Sequence, residues 1–386
     1  MWQFSSPEIV FGEGALSRLA DIQARRVVIV TDRTLVEAGT VGLLLDQLAP
    51  AEVKYELFCD VEPEPAVQTM ERARQVIDRV NPDNVIALGG GSVLDVAKVA
   101  WFMHEHPQVA LEEISIFDTY SRPAAGLIAI PTTSGSGADV TVGAVLTDLV
   151  DKRKVVAYAR ELQPTLVLAD PLLAREMPRQ LTANTGMDAI SHAIEAFTGA
   201  WHNDFADGLS LHALRLALKY LPRAWRDGSD EEAREGMHNA ATIAGLAITN
   251  ASIALGHALA HPLGAVFSLP HGQAIGVMLP YSMAYTASGG GTRYGELARC
   301  LGLDAQSEAE GLASLLKMLR NLASTLCLST TIRDMGPSVD EFEAALPDLV
   351  AGAAMDHQLL TTQRVPDEAE IERLYRYAYA GDNVDF

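Results

Sequence analysis

One stretch of the sequence decides the fold class: residues 85–98 read VIALGGGSVLDVAK. The first four residues form a continuous apolar run, which is typical of a strand buried on both faces of a parallel sheet. Three glycines follow directly, and the residues after them predict a helix. Glycines at such a turn let the backbone approach a phosphate closely, and the helix N-terminus offers free N–H groups. The spacing is not GxGxxG, so the turn predicts either a tight strand-to-helix connection or a phosphate site, and we favour the phosphate site.

The surrounding sequence repeats this alternation of strand and helix. Apolar runs predict strands at residues 27–30, 55–59 and 127–130, and helical spacing of apolar residues occupies 35–48 and 65–80. Such alternation predicts an α/β fold with a doubly wound, mostly parallel sheet. Past residue 181 the strand signals fade, and the predicted helices cover residues 184–197, 207–221, 231–250, 309–326 and 367–380. We therefore expect an α/β domain over residues 1–180 and an all-helical domain over 181–386, with a ligand-binding cleft between them.

Composition restricts the class of partner. The chain has 386 residues, of which 48% are apolar and 20% are charged, so it can form a substantial core and is not disordered. Its 29 basic and 50 acidic residues give a net charge of −21, which argues against nucleic acids and anionic membranes as partners. Three cysteines without a CxxC pair fit a reducing compartment. We expect a cytoplasmic protein.

Two further features point to a nucleotide. Asp32 follows the first predicted strand, where a carboxylate can accept hydrogen bonds from an adenosine ribose and repel a 2′-phosphate; a helix N-cap is the alternative. A second loop rich in Gly, Ser and Thr, residues 132–137, follows another strand. Two such loops at the carboxyl ends of strands in one sheet favour a shared ligand crevice.

A set of histidines with one aspartate predicts a metal site. Asp188 and His192 are four residues apart and share a helix face, as do His257 and His261, and His271 lies ten residues further on. One carboxylate with several imidazoles is a ligand set for Fe(II) or Zn(II). A single histidine is more often a core residue or a cap, but the whole set on an Ala-rich background favours a metal. The remaining histidines lack such partners, and we expect no metal at His104, His106, His202, His212, His238 or His357.

Basic residues are missing around these candidate ligands. No Lys or Arg occurs between Arg179 and Arg215, or between Arg234 and Arg293. A substrate carrying phosphate or carboxylate would require a guanidinium or ammonium nearby. The sequence therefore favours a small neutral substrate.

Five stretches together resemble the iron-containing (group III) alcohol dehydrogenases. They follow the family's order at fitting spacing over nearly the whole chain, and the last of them is the most specific. They are residues 11–14 (FGEG), 89–98 (GGGSVLDVAK), 130–137 (IPTTSGSG), 185–192 (TGMDAISH) and 257–271 (HALAHPLGAVFSLPH).

The resemblance implies a fold and a set of site residues. The fold is that shared with dehydroquinate synthase, with an N-terminal dinucleotide-binding domain at residues 1–180 and a C-terminal metal-binding, catalytic domain at 181–386. The implied metal ligands are Asp188, His192, His257 and His271, and His261 is a catalytic histidine outside the metal's ligand set. The implied cofactor-binding residues are Asp32, Gly90, Gly91, Ser92, Asp95, Thr132, Thr133, Ser136, Thr141 and Lys154.

The implied activity is hydride transfer between NAD(H), rather than NADP(H), and a small primary alcohol or aldehyde. Fe(II) is the implied metal with Zn(II) as the alternative, and a homodimer is the implied assembly. Two positions depart from the family: Glu64 stands where some relatives have Asn, and residues 362–364 read TQR in place of Asn-Pro-Arg. The rival hypotheses are a glycerol-dehydrogenase-like zinc enzyme, a dehydroquinate-synthase-like lyase, and a non-catalytic nucleotide-binding protein.

His261 is followed by Pro262, at which we expect the helix to end or bend. One hypothesis is that His261 passes the proton released from the alcohol to solvent, because an imidazole titrates near neutral pH. The alternative is that it only caps the helix end.

Overall fold

The structure is a computed structural model that describes residues 3–149 and 153–386 of the chain. It divides into two compact units, an N-terminal unit, Met1–Met177, and a C-terminal unit, Pro178–Phe386.

The N-terminal unit is built on a parallel sheet. Among the described residues the sheet has six strands in the order β1-β8-β5-β4-β2-β3, and every neighbouring pair is parallel. Two further strands, β6 and β7, form an antiparallel pair. The strands are β1 (Glu8–Phe11), β2 (Arg26–Val30), β3 (Lys54–Phe58), β4 (Asn84–Gly89), β5 (Gly126–Pro131), β6 (Gly143–Asp148), β7 (Arg153–Tyr158) and β8 (Leu166–Ala169).

Four helices of the N-terminal unit follow strands β2, β3 and β4 as the sequence predicts, with one difference. They are α1 (Arg33–Glu37), α2 (Thr40–Leu48), α3 (Val67–Val80) and α4 (Gly91–Glu105). The stretch 35–48 is not one helix, because Gly39 has a φ of 80° and separates α1 from α2. Glycine has no Cβ and adopts this left-handed conformation at little cost. The predicted α/β class and parallel sheet are confirmed.

The strand order positions the loops that follow the strands. β2 is hydrogen-bonded to β3 on one side and to β4 on the other. The chain therefore moves across the sheet in one direction from β2 to β3 and in the opposite direction from β3 to β4. β4 also pairs with β5, and Gly89 lies opposite Pro131. The carboxyl ends of parallel strands share one edge, and ligands of doubly wound sheets bind where the order reverses.

The C-terminal unit is helical throughout its regular structure, as expected. Its helices are α5 (Arg179–Thr198), α6 (Asp204–Arg226), α7 (Glu231–Ala251), α8 (Leu255–Phe267), α9 (His271–Ser288), α10 (Tyr294–Cys300), α11 (Glu308–Thr325), α12 (Val339–Ala354) and α13 (Glu368–Ala380). Helix α5 packs against α6, α7 and α9, and its residues from Thr182 onward are buried with one exception, Thr185. On a helix that is surrounded on all sides, small Ala and Gly residues permit close packing by the neighbouring helices. Each polar side chain on such a helix needs a partner inside the protein.

Of the two expectations for Pro262, a helix end or a bend, the end is wrong, because α8 continues through this residue to Phe267. Proline removes one backbone donor from the helix, but its ring packs closely against α12. A Cβ built on Gly352 of α12 would lie 2.8 Å from the Cβ of Pro262, so glycine at position 352 makes room for the ring.

In the described part of the chain, no helix by itself has the length and apolar character needed to cross a membrane. Helices α7 and α8 reach that length and composition only when taken together across a bend of 111°.

Candidate functional site

Three helices of the C-terminal unit bring the predicted metal ligands together. Asp188 and His192 lie one turn apart on α5, and His257 lies on α8; all three are buried, with candidate ligand atoms within 4.8 Å of one another. Asp188 Oδ1 is 3.4 Å from His192 Nε2 and 3.6 Å from His257 Nε2. His271, the first residue of α9, places its Nε2 3.3 Å from the same oxygen, with its side chain 35% exposed. One carboxylate oxygen therefore faces three imidazole nitrogens.

The polar atoms in this cluster fit a cation. Asp188 Oδ1 and His257 Nε2 are buried without a hydrogen-bond partner, whereas buried polar atoms in folded proteins are nearly always paired. Oxygen and nitrogen ligands about 2.1 Å from a tetrahedral ion lie about 3.4 Å from one another. The observed separations of 3.3, 3.4 and 3.6 Å agree with that spacing. The residues present fit a divalent cation.

Burial and charge act in opposite directions on these groups. Burial would raise the pKa of Asp188, but His192 and His271 outweigh it and hold the pKa of this carboxyl well below its usual range. Burial lowers the pKa of His192 to about 4. Burial also disfavours a charged His257, yet Glu195 and Asp188 raise its pKa to about 9. The cluster thus holds an ionised Asp188 carboxylate whose negative charge favours a positive charge among the surrounding imidazoles.

A second layer of carboxylates supports the histidines. Glu195 of α5 is hydrogen-bonded through Oε2 to Nδ1 of His257. Asp356, just after α12, is bonded through Oδ2 to Nδ1 of His261 at 2.7 Å. Since an ionised carboxylate only accepts, the ring nitrogen donates in both pairs.

Sequence reasoning identified neither carboxylate. Glu195 had a local signal, because it is three residues after His192 and seven after Asp188, on the same face of α5. Asp356 had none, because it lies 95 residues from the histidine that it contacts.

His261, the predicted catalytic histidine, lies within the histidine cluster. It is one turn after His257 on α8, and its ring stacks on that of His271 with centroids 5.5 Å apart. Burial lowers its pKa, although Asp356 opposes this. Its catalytic role stays a prediction.

In the N-terminal unit the two glycine-rich loops are in contact. Helix α4 begins at Gly91 with Gly90 as its N-cap, and no side chain caps this end. A Cβ on Gly90 would lie 3.1 Å from Cγ2 of Thr133, and a Cβ on Gly91 would lie 2.9 Å from Oγ of Ser136. A side chain at position 91 would therefore require Ser136 or the loops to shift, and one at position 90 would require Thr133 to move by a few tenths of an ångström. The first turn of α4, including Ser92, presents its backbone N–H groups at this junction.

A buried network lies behind the glycine turn. Lys98 Nζ donates to Thr141 Oγ1 and to the Gly143 carbonyl, each at 2.9 Å, and Asp95 Oδ2 accepts from the Val145 amide at 2.9 Å. Burial raises the pKa of Asp95 to about 6 and lowers that of Lys98 to about 8. The network fastens α4 to β6, so Asp95 and Thr141 have structural partners in addition to the predicted cofactor role.

The remaining predicted cofactor residues also have protein partners. Asp32 caps α1 by accepting a hydrogen bond from the Leu35 amide at 2.9 Å, which is the alternative considered from the sequence. Lys154 is paired with Glu64 and donates to Thr147 Oγ1 at 3.0 Å. Thr132 is buried at the end of β5. Whether these residues bind a cofactor stays a prediction.

Comparison with known proteins gives two family matches. Residues 6–171 match the family described as iron-containing alcohol dehydrogenase. Residues 182–379 match the C-terminal part of the Fe-containing alcohol dehydrogenase family.

Individual relatives agree with these matches. The NADPH-dependent butanol dehydrogenase of Clostridium saccharobutylicum is 33% identical over 393 residues, covering 100% of each chain. Aldehyde-alcohol dehydrogenase 2 of Entamoeba histolytica is 33% identical over 98% of this chain but only 46% of its own length, so this chain spans about half of that relative.

Solved structures show the same fold. An iron-containing alcohol dehydrogenase from Thermococcus thioreducens superimposes with a TM-score of 0.90 at 30% identity, covering 99% of this chain and 100% of the other. A sulfoacetaldehyde reductase from Bifidobacterium kashiwanohense, in complex with NAD+, superimposes with a TM-score of 0.86 at 28% identity and the same coverage. The resemblance and the fold predicted from the sequence are confirmed.

Proposed function

Because the chain belongs to the iron-containing alcohol dehydrogenase family, we propose that it transfers a hydride between NAD(H) and a small, neutral primary alcohol or aldehyde. The enzyme class follows from the family, and one observation carries the proposal for this chain. A buried, unpaired carboxylate oxygen of Asp188 faces three imidazole nitrogens at 3.3, 3.4 and 3.6 Å.

In this proposal Asp188, His192, His257 and His271 hold one divalent cation, Fe(II) rather than Zn(II). A divalent cation at this position supplies Lewis-acid stabilisation of negative charge on the reacting oxygen. The four side chains contribute a single negative charge, so a divalent ion together with its ligands keeps a net positive charge.

His261 is the proposed proton-transfer group. Because its Nδ1 donates to Asp356 at 2.7 Å, the ring is fixed and Nε2 is the nitrogen that exchanges a proton with the reacting hydroxyl or with solvent. An imidazole can perform this task near neutral pH without a strong base.

The proposed dinucleotide site is the junction of the two loops in the N-terminal unit. Gly90, Gly91 and Ser92 hold the pyrophosphate at the N-terminus of α4, where unpaired N–H groups and the helix dipole favour an anion. Asp32 binds the adenosine ribose. The nicotinamide side is lined by Asp95, Thr132, Thr133, Ser136, Thr141 and Lys154. A nicotinamide bound here would supply the hydride chemistry.

NAD is proposed over NADP because of the charge of Asp32. Its Oδ1 caps α1, and its negative charge at the end of β2 repels a 2′-phosphate. The relative from Clostridium saccharobutylicum is named as NADPH-dependent, so cofactor choice varies among proteins of this fold.

A neutral substrate is proposed because residues 180–214 and 235–292, which contain the metal cluster, include no Lys or Arg. A dehydroquinate-synthase-like lyase, which binds phosphate and carboxylate, is not favoured by that composition or by the matches. A glycerol-dehydrogenase-like zinc enzyme differs in the metal and in the preferred alcohol.

Metal analysis of purified protein, coupled to an NADH-oxidation screen across small aldehydes, tests the proposal. We expect about one iron per chain and turnover of neutral aldehydes, with little turnover of anionic ones. Zinc at full occupancy with activity on glycerol would support the zinc enzyme instead. Metal-free protein without NADH oxidation would contradict the proposal.

The remaining proposals concern organisation. We assign the dinucleotide to the domain at 1–180 and the metal to the domain at 181–386. We also propose a cytoplasmic homodimer. β1 is the outermost strand of its sheet, with Phe11 68% exposed, which is an edge that a second copy could cover. Light scattering measures the mass and distinguishes a dimer from a monomer.

A further inference from the structure

Glu195 has contacts that go beyond packing. We propose that Glu195 is a positioning residue that fixes the ring of His257 and determines which of its nitrogens faces the cation. The inference rests on the proposed metal site and adds to it a residue outside the ligand set.

Both carboxylate oxygens of Glu195 are occupied at the start of α8. Oε2 accepts a hydrogen bond from His257 Nδ1, and Oε1 accepts one from the Gly256 amide at 2.7 Å. A Cβ on Gly256 would lie 2.8 Å from Oε1, so this close approach requires glycine. Glu195 thus holds the His257 ring and the backbone next to it from one side chain that is itself buried on α5.

The bond to Nδ1 decides the tautomer of His257. With the proton on Nδ1, the lone pair lies on Nε2, which is the buried atom without a partner that faces Asp188 at 3.6 Å. A histidine that binds a metal usually donates its other N–H to a carboxylate or carbonyl, which orients the ring and increases its basicity. Loss of such a partner typically weakens metal binding by about 10- to 100-fold.

The surroundings of Glu195 determine which substitution tests this. A cavity of about 20 Å³ lies beside it, lined in part by the hydroxyl residues Ser282, Thr286 and Tyr294. A space of this size holds a water molecule. Replacement with Ala would enlarge the cavity, and a water molecule entering it would accept the hydrogen bond from His257 Nδ1 in place of the carboxylate.

Glutamine is the decisive substitution because it keeps the size and loses one acceptor. The partners of Glu195, which are the His257 ring and the backbone amides of Ala254 and Gly256, are all donors. An amide has one oxygen and one NH₂ group, so in either orientation a donor faces a donor. When the NH₂ group faces His257, the conflict is relieved by moving the His257 proton to Nε2, which removes the lone pair needed for the cation. When the amide oxygen faces His257, the ring keeps its tautomer, but it loses a charged acceptor and the clash falls on the Gly256 amide.

The experiment measures Co(II) affinity by chelator competition, together with the visible absorption of the Co(II) protein, for the wild type and three variants. Glu195→Gln should bind Co(II) about 10- to 100-fold more weakly, with a changed absorption spectrum. Glu195→Asp keeps two acceptor oxygens, but its arm is one methylene shorter and reaches His257 less well. It should therefore bind Co(II) severalfold more weakly than the wild type and more tightly than Glu195→Gln. The matched control is Asp356→Asn, which alters the carboxylate on a histidine outside the ligand set and should leave affinity within about twofold.

Circular dichroism and thermal unfolding confirm that each variant is folded. Equal affinity and an unchanged spectrum in Glu195→Gln would overturn the inference, as would an equal loss in Asp356→Asn. If Glu195→Gln does not fold, Glu195→Asp decides, and a wild-type spectrum and affinity in that variant would overturn it. Failure of the wild type to bind Co(II) would instead contradict the proposed metal site itself.

Discussion

The glycine loops of the N-terminal unit and the histidine cluster of the C-terminal unit satisfy their polar groups in different ways. Around the loops, the predicted side chains of Asp32, Asp95 and Lys154 already have protein partners. In the cluster, Asp188 Oδ1 and His257 Nε2 are buried without one. The proposed metal site therefore rests on buried polar atoms without a protein partner, whereas the proposed cofactor site rests on the backbone and on the space at the glycines.

The largest expected effect is removal of a ligand from the histidine cluster. His257→Ala should abolish stoichiometric metal and reduce activity by at least about 100-fold, because an electrostatic stabiliser of the reaction is lost. Metal content and kcat/KM are measured on the same preparation. His202→Ala, which changes a histidine outside the cluster, is the matched control and should change little. Near-normal metal and turnover in His257→Ala would show that the ligand assignment is wrong.

The next effect separates proton transfer from metal binding within the cluster. His261→Ala should keep metal and NAD affinity and lower kcat by about tenfold or more, with a changed pH–rate profile, because a general acid–base group is removed. If His261 only packs, the variant instead loses thermal stability, and the folded enzyme keeps its pH profile. The second result would leave proton transfer without support and the metal site intact.

A change at the loops should affect the cofactor alone. Gly91→Ala places a Cβ 2.9 Å from Ser136 Oγ, so the loops must move apart. We expect about tenfold weaker NAD binding by calorimetry, a difference of about 1.4 kcal/mol, with unchanged metal content. Gly42→Ala is the control, because a Cβ there meets no atom within 4 Å. Unchanged NAD affinity in Gly91→Ala would contradict the assignment of the pyrophosphate to this turn.

The smallest effect concerns cofactor choice. Asp32→Gly should reduce the preference for NAD over NADP severalfold, because it removes the charge that repels the 2′-phosphate. Glycine is an adequate N-cap, so stability should change by only a few tenths of a kcal/mol. Asp32→Asn keeps the cap and removes only the charge, and it should shift the preference in the same direction. A wild-type enzyme that uses NADP as well as NAD would contradict this assignment.

The difference between the two regions also explains what the sequence could predict. Residues 85–98 contain a strand, a turn and a helix start in one continuous run, so local periodicity was sufficient to predict β4, the glycine turn and α4. The proposed metal ligands stood out in the sequence because Asp188 and His192 are four residues apart on one helix, and His257 has the same spacing to His261. Glu195, three residues after His192, lies on the same helix face and was still missed, because its bond to His257 joins residues 62 apart in the sequence.

Other features depended on tertiary contacts that periodicity does not report. Asp356 meets His261 across 95 residues, and nothing near either residue indicates the pair. The proline at position 262 predicted that the helix ends or bends there; the helix does not end, and Gly352 on another helix accommodates the ring. The antiparallel pair of β6 and β7 was not predicted either. β6 is held by a tertiary contact, a hydrogen bond of 2.9 Å from Lys98 of α4 to the Gly143 carbonyl.

The central claim is that Asp188 and its three histidines hold one metal ion. Anomalous X-ray diffraction at the iron absorption edge, on crystals of protein purified with Fe(II) in the absence of oxygen, tests it most directly. We predict one anomalous peak per chain, located within bonding distance of Asp188, His192, His257 and His271. A peak at any other group of residues, or active crystals with no peak within this cluster, would contradict the claim.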